Sequence, residues 1–197
     1  SSFLKVQRNK SEADFIDYYN RILLDNQSLN CLYSINSLSF YRQLAIDKLW
    51  HITDKSFILI ENDVPFFAFI GAVLQREKES RLLAFDQPAT FFEPIPASRS
   101  QKKRIVKEIS ATLEGTNIDK GIFVDYLSNG FISSATEYLL NKKICNYDLF
   151  FTRYIDLTKS EKYLWNSIRK SYCAEINKGL KELKPKVFTS KDINWNV

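Results

Sequence analysis

The stretch that decides the fold runs from Phe57 to Phe85 and reads FILIENDVPFFAFIGAVLQREKESRLLAF. It contains three apolar runs of the residue types that favour strands, at positions 57–60, 65–75 and 81–85. Short polar segments separate these runs, which predicts an antiparallel meander with tight turns. Because the first two runs are apolar on both faces, we expect the sheet to be covered on both sides.

Apolar residues at helical spacing precede this meander. The first helix is predicted to begin at Ser11, whose side chain can cap it. Its buried stripe is expected to consist of aromatic and aliphatic residues: Phe15, Tyr18, Tyr19, Ile22 and Leu23. A second helix is predicted over Ser39–Lys48. It would bury Phe40 and Leu44, with Trp50 packed just beyond its end.

After the meander, helix and strand patterns alternate. Pro88, Pro94 and Pro96 predict a loop rather than a strand. A helix, a strand, a helix and a last strand are then expected over residues 98–113, 121–126, 132–142 and 147–157. A strand–helix–strand connection crosses over the sheet and is almost always right-handed. The predicted fold class is therefore α/β (α+β), with a mixed, mainly antiparallel sheet flanked by helices on both faces.

The tail of the chain has a different pattern. One long basic helix is predicted over residues 161–183, with an apolar stripe along one side. Four residues recur at intervals of four and share one face of this helix: Arg169, Cys173, Asn177 and Lys181. This face is solvated, packed against another domain or in contact with phosphate groups. Pro185 ends the helix, so we expect a first domain at 1–157, a linker helix at 158–185 and the start of a second domain at 186–197.

Composition and charge narrow the classes of function. The 197 residues carry 28 Lys and Arg against 23 Asp and Glu, a net charge of +5, which is mild for a protein that binds nucleic acid. The longest apolar run, 64–74, has 11 residues, whereas a membrane-spanning helix needs about 20. With no signal sequence at its start, the chain is expected to be cytoplasmic.

Cysteine and histidine usage argues against metal and nucleophile sites. The three cysteines, Cys31, Cys145 and Cys173, form no CxxC pair, and His51 is the only histidine. We therefore expect no metal ion. His51 is interpreted as a surface or packing residue near a helix end rather than a triad member, since no nucleophile motif accompanies it. A glycine-rich phosphate-binding motif is also absent from the sequence.

Motifs in the tail resemble a known family. The segments LTKS at 157–160, LWNSIRKSY at 164–172 and INKGLK at 176–181 are similar to the Fem-type transferases. These are the FemAB-like, peptidoglycan-bridge and polysaccharide-cluster members of the GNAT clan, built from two GNAT-like halves joined by a helix of this type. The element order also resembles one such half, in which two helices precede a meander and a helix–strand–helix–strand series. The resemblance implies an N-terminal GNAT-like half with a second GNAT-like domain in cis.

The function implied by the resemblance is transfer of an acyl or aminoacyl group to an amine of a cell-envelope or surface-polysaccharide precursor. The donor would be acyl-CoA or aminoacyl-tRNA, and the acceptor a nucleotide-linked sugar or glycan precursor. The resemblance also implies tRNA as a partner. It implies no stable insertion of the protein into a membrane. GNAT halves that hold CoA cradle its pyrophosphate on a glycine-rich loop, but residues 86–97 contain no glycine. We therefore expect no cofactor on this half.

The resemblance also assigns roles by position. Tyr138 matches the helix tyrosine that protonates the leaving thiolate in the GNAT fold. The strand at 81–85 matches the one whose backbone N–H faces the carbonyl oxygen. Packing is the structural alternative for Tyr138.

Further substrate-binding residues are predicted at strand ends and in the tail. Asp86, Asp125 and Tyr126 end strands, where open α/β sheets tend to bind ligands, although a turn or capping role is the favoured interpretation of both aspartates. In the tail the candidates for phosphate contacts are Arg169, Lys170, Asn177 and Lys181. The alternative function is a non-catalytic GNAT-like module that binds a sugar nucleotide or a partner domain.

Overall fold

The described part of this computed structural model comprises residues 5–6, 12–25, 32–114, 117–126, 130–149 and 158–183. The chain divides into two compact units, Ser1–Tyr147 and Asp148–Val197. The described helices are α1 (Glu12–Asp25), α2 (Ile35–Asp47), α3 (Arg99–Leu113) and α4 (Ser134–Asn141) in the first unit, and α5 (Glu161–Ser167) and α6 (Lys170–Leu183) in the second. The described strands are β1 (Lys5–Val6), β2 (His51–Asp54), β3 (Phe57–Glu61), β4 (Val64–Ile70), β5 (Ala72–Arg76), β6 (Glu79–Leu83), β7 (Ala89–Phe92), β8 (Lys120–Gly121) and β9 (Phe123–Asp125).

The strands form two sheets, ordered β1-β3-β4-β7-β9 and β2-β5-β6-β8. In the first sheet β3, β4 and β7 pair antiparallel, and in the second β2, β5 and β6 do the same, so the predicted meander is present in both. β8 and β9 follow α3 and pair parallel with β6 and β7, which makes α3 the predicted crossover. The fold class is therefore the expected mixed, mainly antiparallel sheet with flanking helices.

Hydrogen bonds join the two sheets where the strands are interrupted. Ile122, between β8 and β9, donates its N–H to the Leu82 carbonyl (3.2 Å) and accepts at its own carbonyl from the Ala89 N–H (2.8 Å). On the other side, Lys55 donates its N–H to the Gly71 carbonyl (2.9 Å). The second sheet therefore continues the first, and the two are separated only by interruptions in the strands.

Gly71 lies at the break between β4 and β5, where the sequence predicts one continuous strand. The Ser56 hydroxyl accepts a hydrogen bond from the Gly71 N–H (3.1 Å) and donates one to the Gly71 carbonyl (3.3 Å). A Cβ atom at position 71 would collide with the ring of Phe69. Glycine is required here because the buried ring of Phe69 occupies the space that a side chain at position 71 would need.

Alternate residues of the central strands point into two separate apolar layers. In β4, Phe67 and Phe69 lie in the layer with α3 and α4, while Ala68 and Ile70 lie in the layer with α1 and α2. The predicted α1 stripe is buried in full in the second of these layers. Helices therefore cover both faces of the sheet, as the apolar runs predicted.

A row of five phenylalanine rings crosses the α3 and α4 side of the sheet: Phe57, Phe67, Phe69, Phe91 and Phe123. The paired ring centroids lie 5.6–6.2 Å apart, and the rings of Phe91 and Phe123 are inclined by only 9°. Aromatic pairs at such separations add about 0.5–1.5 kcal/mol each beyond their burial. The row connects β3, β4, β7 and β9.

The start of α2 differs from the prediction. Ser34 is the N-cap, and its hydroxyl accepts from the Ser37 N–H (3.2 Å), so the helix begins at Ile35 rather than at Ser39. The buried residues of α2 also differ from the prediction. Leu38 and Ala45 are buried, whereas Phe40 is 63% exposed, so its predicted burial is wrong.

The segment after the meander, predicted to be a loop, contains the strand β7, so this prediction is wrong. Ala89–Phe92 is a fully buried strand between β4 and β9. Pro88 and Pro94 lie just outside it, and a proline removes only its own N–H from a strand ladder, so a short strand fits between them. His51 is exposed, as one of its predicted roles requires, and it begins β2 shortly after the end of α2.

The single helix predicted over residues 161–183 is two helices, α5 and α6. α5 ends where the backbone of Ile168 becomes extended (φ −75°, ψ 136°). The Ser167 hydroxyl donates to the Leu164 carbonyl (2.6 Å), and side-chain bonds of this kind compete with helix continuation. The Arg169 carbonyl then accepts the first N–H bonds of α6.

The predicted strand over 147–157 is not present in its described part, since residues 147–149 have no regular structure. The rest of that strand, the Ser11 cap and the start of the second domain predicted at 186–197 lie outside the described residues. In the ranges that the structure describes, no helix is both long enough and apolar enough to cross a membrane.

Candidate functional site

Glu93 is a buried carboxylate at the carboxyl end of β7. Glu93 is only 6% exposed. Its carboxylate accepts three hydrogen bonds. These come from the Ala97 N–H (2.9 Å), the Ser134 N–H (2.7 Å) and the Ser134 hydroxyl (2.9 Å). A buried charge is tolerated when donors surround it in this way. Glu93 therefore ties the end of β7 to the loop before α3 and to the start of α4.

Asp125 ends the neighbouring parallel strand, β9. Its Oδ2 accepts from the Ser133 N–H (2.9 Å), and the Ser133 hydroxyl in turn caps α4 by accepting from the Thr136 N–H (3.2 Å). Asp125 and Glu93 thus place two carboxylates at the N-terminus of α4, where negative charge is favourable. Of the two predicted roles for Asp125, the geometry is that of a cap.

The N-terminus of α3 is also closed by the chain's own side chains. Ser98 and Gln101 form a capping box, in which the Ser98 N–H donates to Gln101 Oε1 (2.9 Å) and the Gln101 N–H to Ser98 Oγ (3.3 Å). The Ala97 N–H is taken by Glu93. A pyrophosphate at this helix end would find engaged amides and a buried carboxylate, so these residues do not fit the CoA pyrophosphate.

Tyr138 joins α4 to α3 through a chain of hydroxyls. The Tyr138 hydroxyl, on a half-buried residue, donates to Ser110 Oγ (3.2 Å). Ser110 Oγ donates to Glu114 Oε1 (2.8 Å), on an exposed residue. The chain of Tyr138, Ser110 and Glu114 can carry a proton between the α3–α4 interface and a surface carboxylate.

Asp86 lies in a tight turn that interrupts the third strand of the meander. Ala84 and Gln87 exchange two backbone bonds (2.7 and 3.0 Å) around the turn, and Phe85 has a φ of 61°. Asp86 is exposed and pairs with Lys48 Nζ (3.0 Å). β6, just before the turn, is paired on both sides, by β5 and β8, so this strand does not open a cleft for the carbonyl of a donor.

Tyr126 packs inside the α1 and α2 layer rather than lining a cleft. Its ring lies edge-on to Tyr33, with centroids 5.8 Å apart. The Tyr33 hydroxyl donates to the Pro88 carbonyl (3.0 Å). Burial, followed by a hydrogen bond with Tyr126, raises the pKa of Tyr33. A packing role accounts for this geometry.

The four tail candidates are exposed residues of the second unit: Arg169, Lys170, Asn177 and Lys181. Asn177 and Lys181 share one face of α6 with Cys173, and Arg169 lies just before that helix. The Cys173 thiol lies 3.7 Å from the Ile168 carbonyl oxygen, within reach of a weak hydrogen bond across the corner between the helices. Cys173 therefore has a structural contact that the spacing did not predict.

Glu93 was missed in the sequence because an acid before two prolines has the pattern of a loop residue. The signal that could have found it is the serine pair Ser133 and Ser134, which opens α4 and offers an amide and a hydroxyl to a buried acceptor. No protein-family model matches the chain, and no curated protein or solved structure is significantly similar to it.

Proposed function

We propose that this chain is the lobe of a Fem-type N-acyl- or aminoacyltransferase that does not bind the acyl donor. The full enzyme would act in the cytoplasm on an amine of a cell-envelope or surface-polysaccharide precursor, with acyl-CoA or aminoacyl-tRNA as donor. The observation that carries the proposal is the order of pairing. An antiparallel meander is followed by α3 and then by strands parallel to the meander's third strand.

The assignment to the non-donor lobe is supported by the closed start of α3. A lobe that binds CoA leaves backbone amides free for the pyrophosphate. Here Glu93 takes the Ala97 amide, and the Ser98–Gln101 capping box takes two more. The donor would therefore bind to a second GNAT-like domain.

Tyr138 is the residue through which this lobe would contribute to chemistry. In acyl transfer the acceptor nitrogen attacks the donor carbonyl, the bond to the leaving group breaks, and the amine loses a proton. The resemblance gives Tyr138 the role of protonating the leaving group, and the chain from Tyr138 through Ser110 to Glu114 can resupply that proton from solvent, which also takes up the proton lost by the amine. Its role is thus that of a proton relay.

The second candidate function is a non-catalytic binding module for a sugar nucleotide or a partner domain. It is favoured because both aspartates predicted to bind substrate at strand ends already have partners within the protein. Asp125 caps α4 through Ser133, and Asp86 is paired with Lys48. Neither carboxylate needs a substrate to account for its position.

Two measurements test the proposal. Isothermal titration of this chain with acetyl-CoA up to about 1 mM should give no binding, because the donor site lies elsewhere. Micromolar binding would contradict the non-donor assignment. The full-length gene product should transfer an acetyl group from acetyl-CoA or an amino acid from aminoacyl-tRNA to a nucleotide-linked amino sugar. No transfer from either donor would reject the enzyme and leave the binding module.

A further inference from the structure

An apolar stripe runs along α6 in the second unit. Its residues recur at intervals of four, four and three, so they share one side of the helix: Tyr172, Ile176, Leu180 and Leu183. These four residues are 40–79% exposed, and neither described helix of this unit, α5 or α6, contains a buried residue. Large apolar side chains that gather on one exposed side of a helix indicate a surface for a partner or a membrane.

The second unit also carries most of the net charge of the chain. Residues 158–183 contain six Lys and Arg against three Glu, a net charge of +3 out of +5 for all 197 residues. Lys170 and Lys181 lie about 80–100° around α6 from Leu180, so their long side chains can reach a surface that contacts the stripe. The two acids of α6 lie on the other flank: Glu175 and Glu182, the second of which pairs with Lys178 (3.8 Å).

We propose that α6 binds to the surface of a lipid bilayer that contains anionic lipids. The stripe lies at the boundary of the acyl chains, and Lys170 and Lys181 contact the headgroup phosphates. A helix with an apolar side and lysines beside it is typical of helices that lie in the interface of a membrane. Tyr172 suits this position, because its ring is apolar and its hydroxyl is polar. With 14 residues α6 is about 21 Å long, whereas the hydrocarbon core is about 30 Å thick, so the helix lies along the surface and does not cross it.

Charge favours a bilayer over a second copy of this chain as the partner of the stripe. Two copies joined through α6 would bring two segments of net charge +3 together, and these would repel each other. An anionic lipid surface instead attracts each Lys and Arg that comes near it. Binding through one such helix is reversible. It does not depend on the chain being a transferase.

The test is co-sedimentation of the 197-residue chain with two kinds of vesicle, phosphatidylcholine alone and phosphatidylcholine with about 30% phosphatidylglycerol. The stripe variant is Ile176→Gln/Leu180→Gln, and the lysine variant is Lys170→Gln/Lys181→Gln. Each has a matched control at exposed residues of the first unit: Leu24→Gln/Phe40→Gln for the stripe and Lys103→Gln/Lys107→Gln for the lysines.

We expect the parent chain and both controls to bind the anionic vesicles alike, and to bind phosphatidylcholine alone about tenfold more weakly. The stripe variant and the lysine variant should each bind the anionic vesicles about tenfold more weakly than the parent chain. All of these substitutions are at exposed residues, and unchanged thermal unfolding verifies that the variants fold.

Several results would overturn the proposal. They are no binding to either vesicle, equal binding to both, or an equal loss in the matched controls. A parent chain that is dimeric without lipid and a stripe variant that is monomeric, measured by analytical ultracentrifugation, would identify the stripe as an interface between copies instead. A full-length gene product that does not bind the anionic vesicles, where the 197-residue chain does, would show that the stripe is covered within the protein.

Discussion

The carboxylate of Glu93 accepts hydrogen bonds from both the backbone amide and the hydroxyl of Ser134, a residue 41 positions later in the chain. These two bonds hold the start of α4 against the end of β7. The Glu93 carboxylate also occupies the N-terminus of α4, a position where proteins commonly bind an anionic ligand. One residue therefore holds α4 in place and satisfies the buried amide and hydroxyl of Ser134.

Glu93→Ala should destabilise the first unit by about 2–4 kcal/mol, because it leaves the buried Ser134 amide and hydroxyl without an acceptor. Urea unfolding followed by circular dichroism measures the change. Glu137→Ala is the control, since this carboxylate is exposed and its ion pair with Lys102 is worth little; we expect a change within about 0.5 kcal/mol. Equal effects of the two substitutions would show that Glu93 does not hold α4.

Gly71→Ala should destabilise the fold by about 1–3 kcal/mol, because the new methyl group meets the ring of Phe69. In the background Phe69→Leu the same substitution should cost less, and a double-mutant cycle measures this coupling. Gly179→Ala is the matched control: it lies within α6 with nothing within 4 Å of the new Cβ, so it should stabilise that helix by about 0.5–1 kcal/mol. Additive costs at positions 69 and 71 would contradict the predicted collision.

The stability of the first unit should fall in alkaline solution. Burial raises the pKa of Tyr19 and of Tyr33 in the folded chain, whereas in the unfolded chain both titrate near the ordinary value of about 10. Their contribution is complete below that pH. Above it the unfolded state loses the protons first, so the free energy of unfolding decreases by up to about 1.4 kcal/mol per pH unit for each tyrosine.

Urea unfolding of the parent chain and of Tyr19→Phe/Tyr33→Phe at pH values of about 9 and 11 measures this effect. The double variant should show a shallower decline, although its stability at the lower pH is reduced by the loss of two hydroxyl bonds. Tyr163→Phe, at a residue 60% exposed, should leave the decline unchanged. Parallel declines in all three proteins would rule out the buried tyrosines as its source.

Tyr138→Phe separates the two candidate functions. It removes one hydroxyl from a half-buried residue and should cost only about 0.5–1.5 kcal/mol of stability. If this lobe supplies the proton relay, turnover of the full-length gene product should fall about 10²–10⁴-fold with little change in KM. Ser110→Ala should give a similar loss. Unchanged turnover in both variants would leave this lobe as a binding module.

The sequence was most informative where a local signal and the apolar pattern agreed. The helix predicted over residues 98–113 matches α3, whose N-cap is Ser98 and whose last residue is Leu113. The start of α2 was placed four residues too late because the true cap, Ser34, lies in a run of serines and asparagines that offers several starts. β7 was missed because two prolines flank a strand of only four residues.

The candidate site was less predictable, because its contacts join residues far apart in sequence. The capping alternative for Asp125 was foreseen from its place at the end of a strand, but its partner Ser133 was not. Glu93 and Ser134 meet only once the crossover brings the ends of β7 and β9 together, and no local pattern marks that meeting. The proposed roles of the tail residues Arg169, Lys170, Asn177 and Lys181 remain predictions.

The phenylalanine row has a consequence for the order in which the chain acquires its structure. Phe57, Phe67 and Phe69 belong to one hairpin and can associate early, since few residues separate them. Phe123 can contact Phe91 only after α3, which lies between them in the chain, has packed against the sheet. Formation of that outermost ring contact therefore requires the longest loop closure in the row, and we expect it to report the late, rate-limiting phase of refolding.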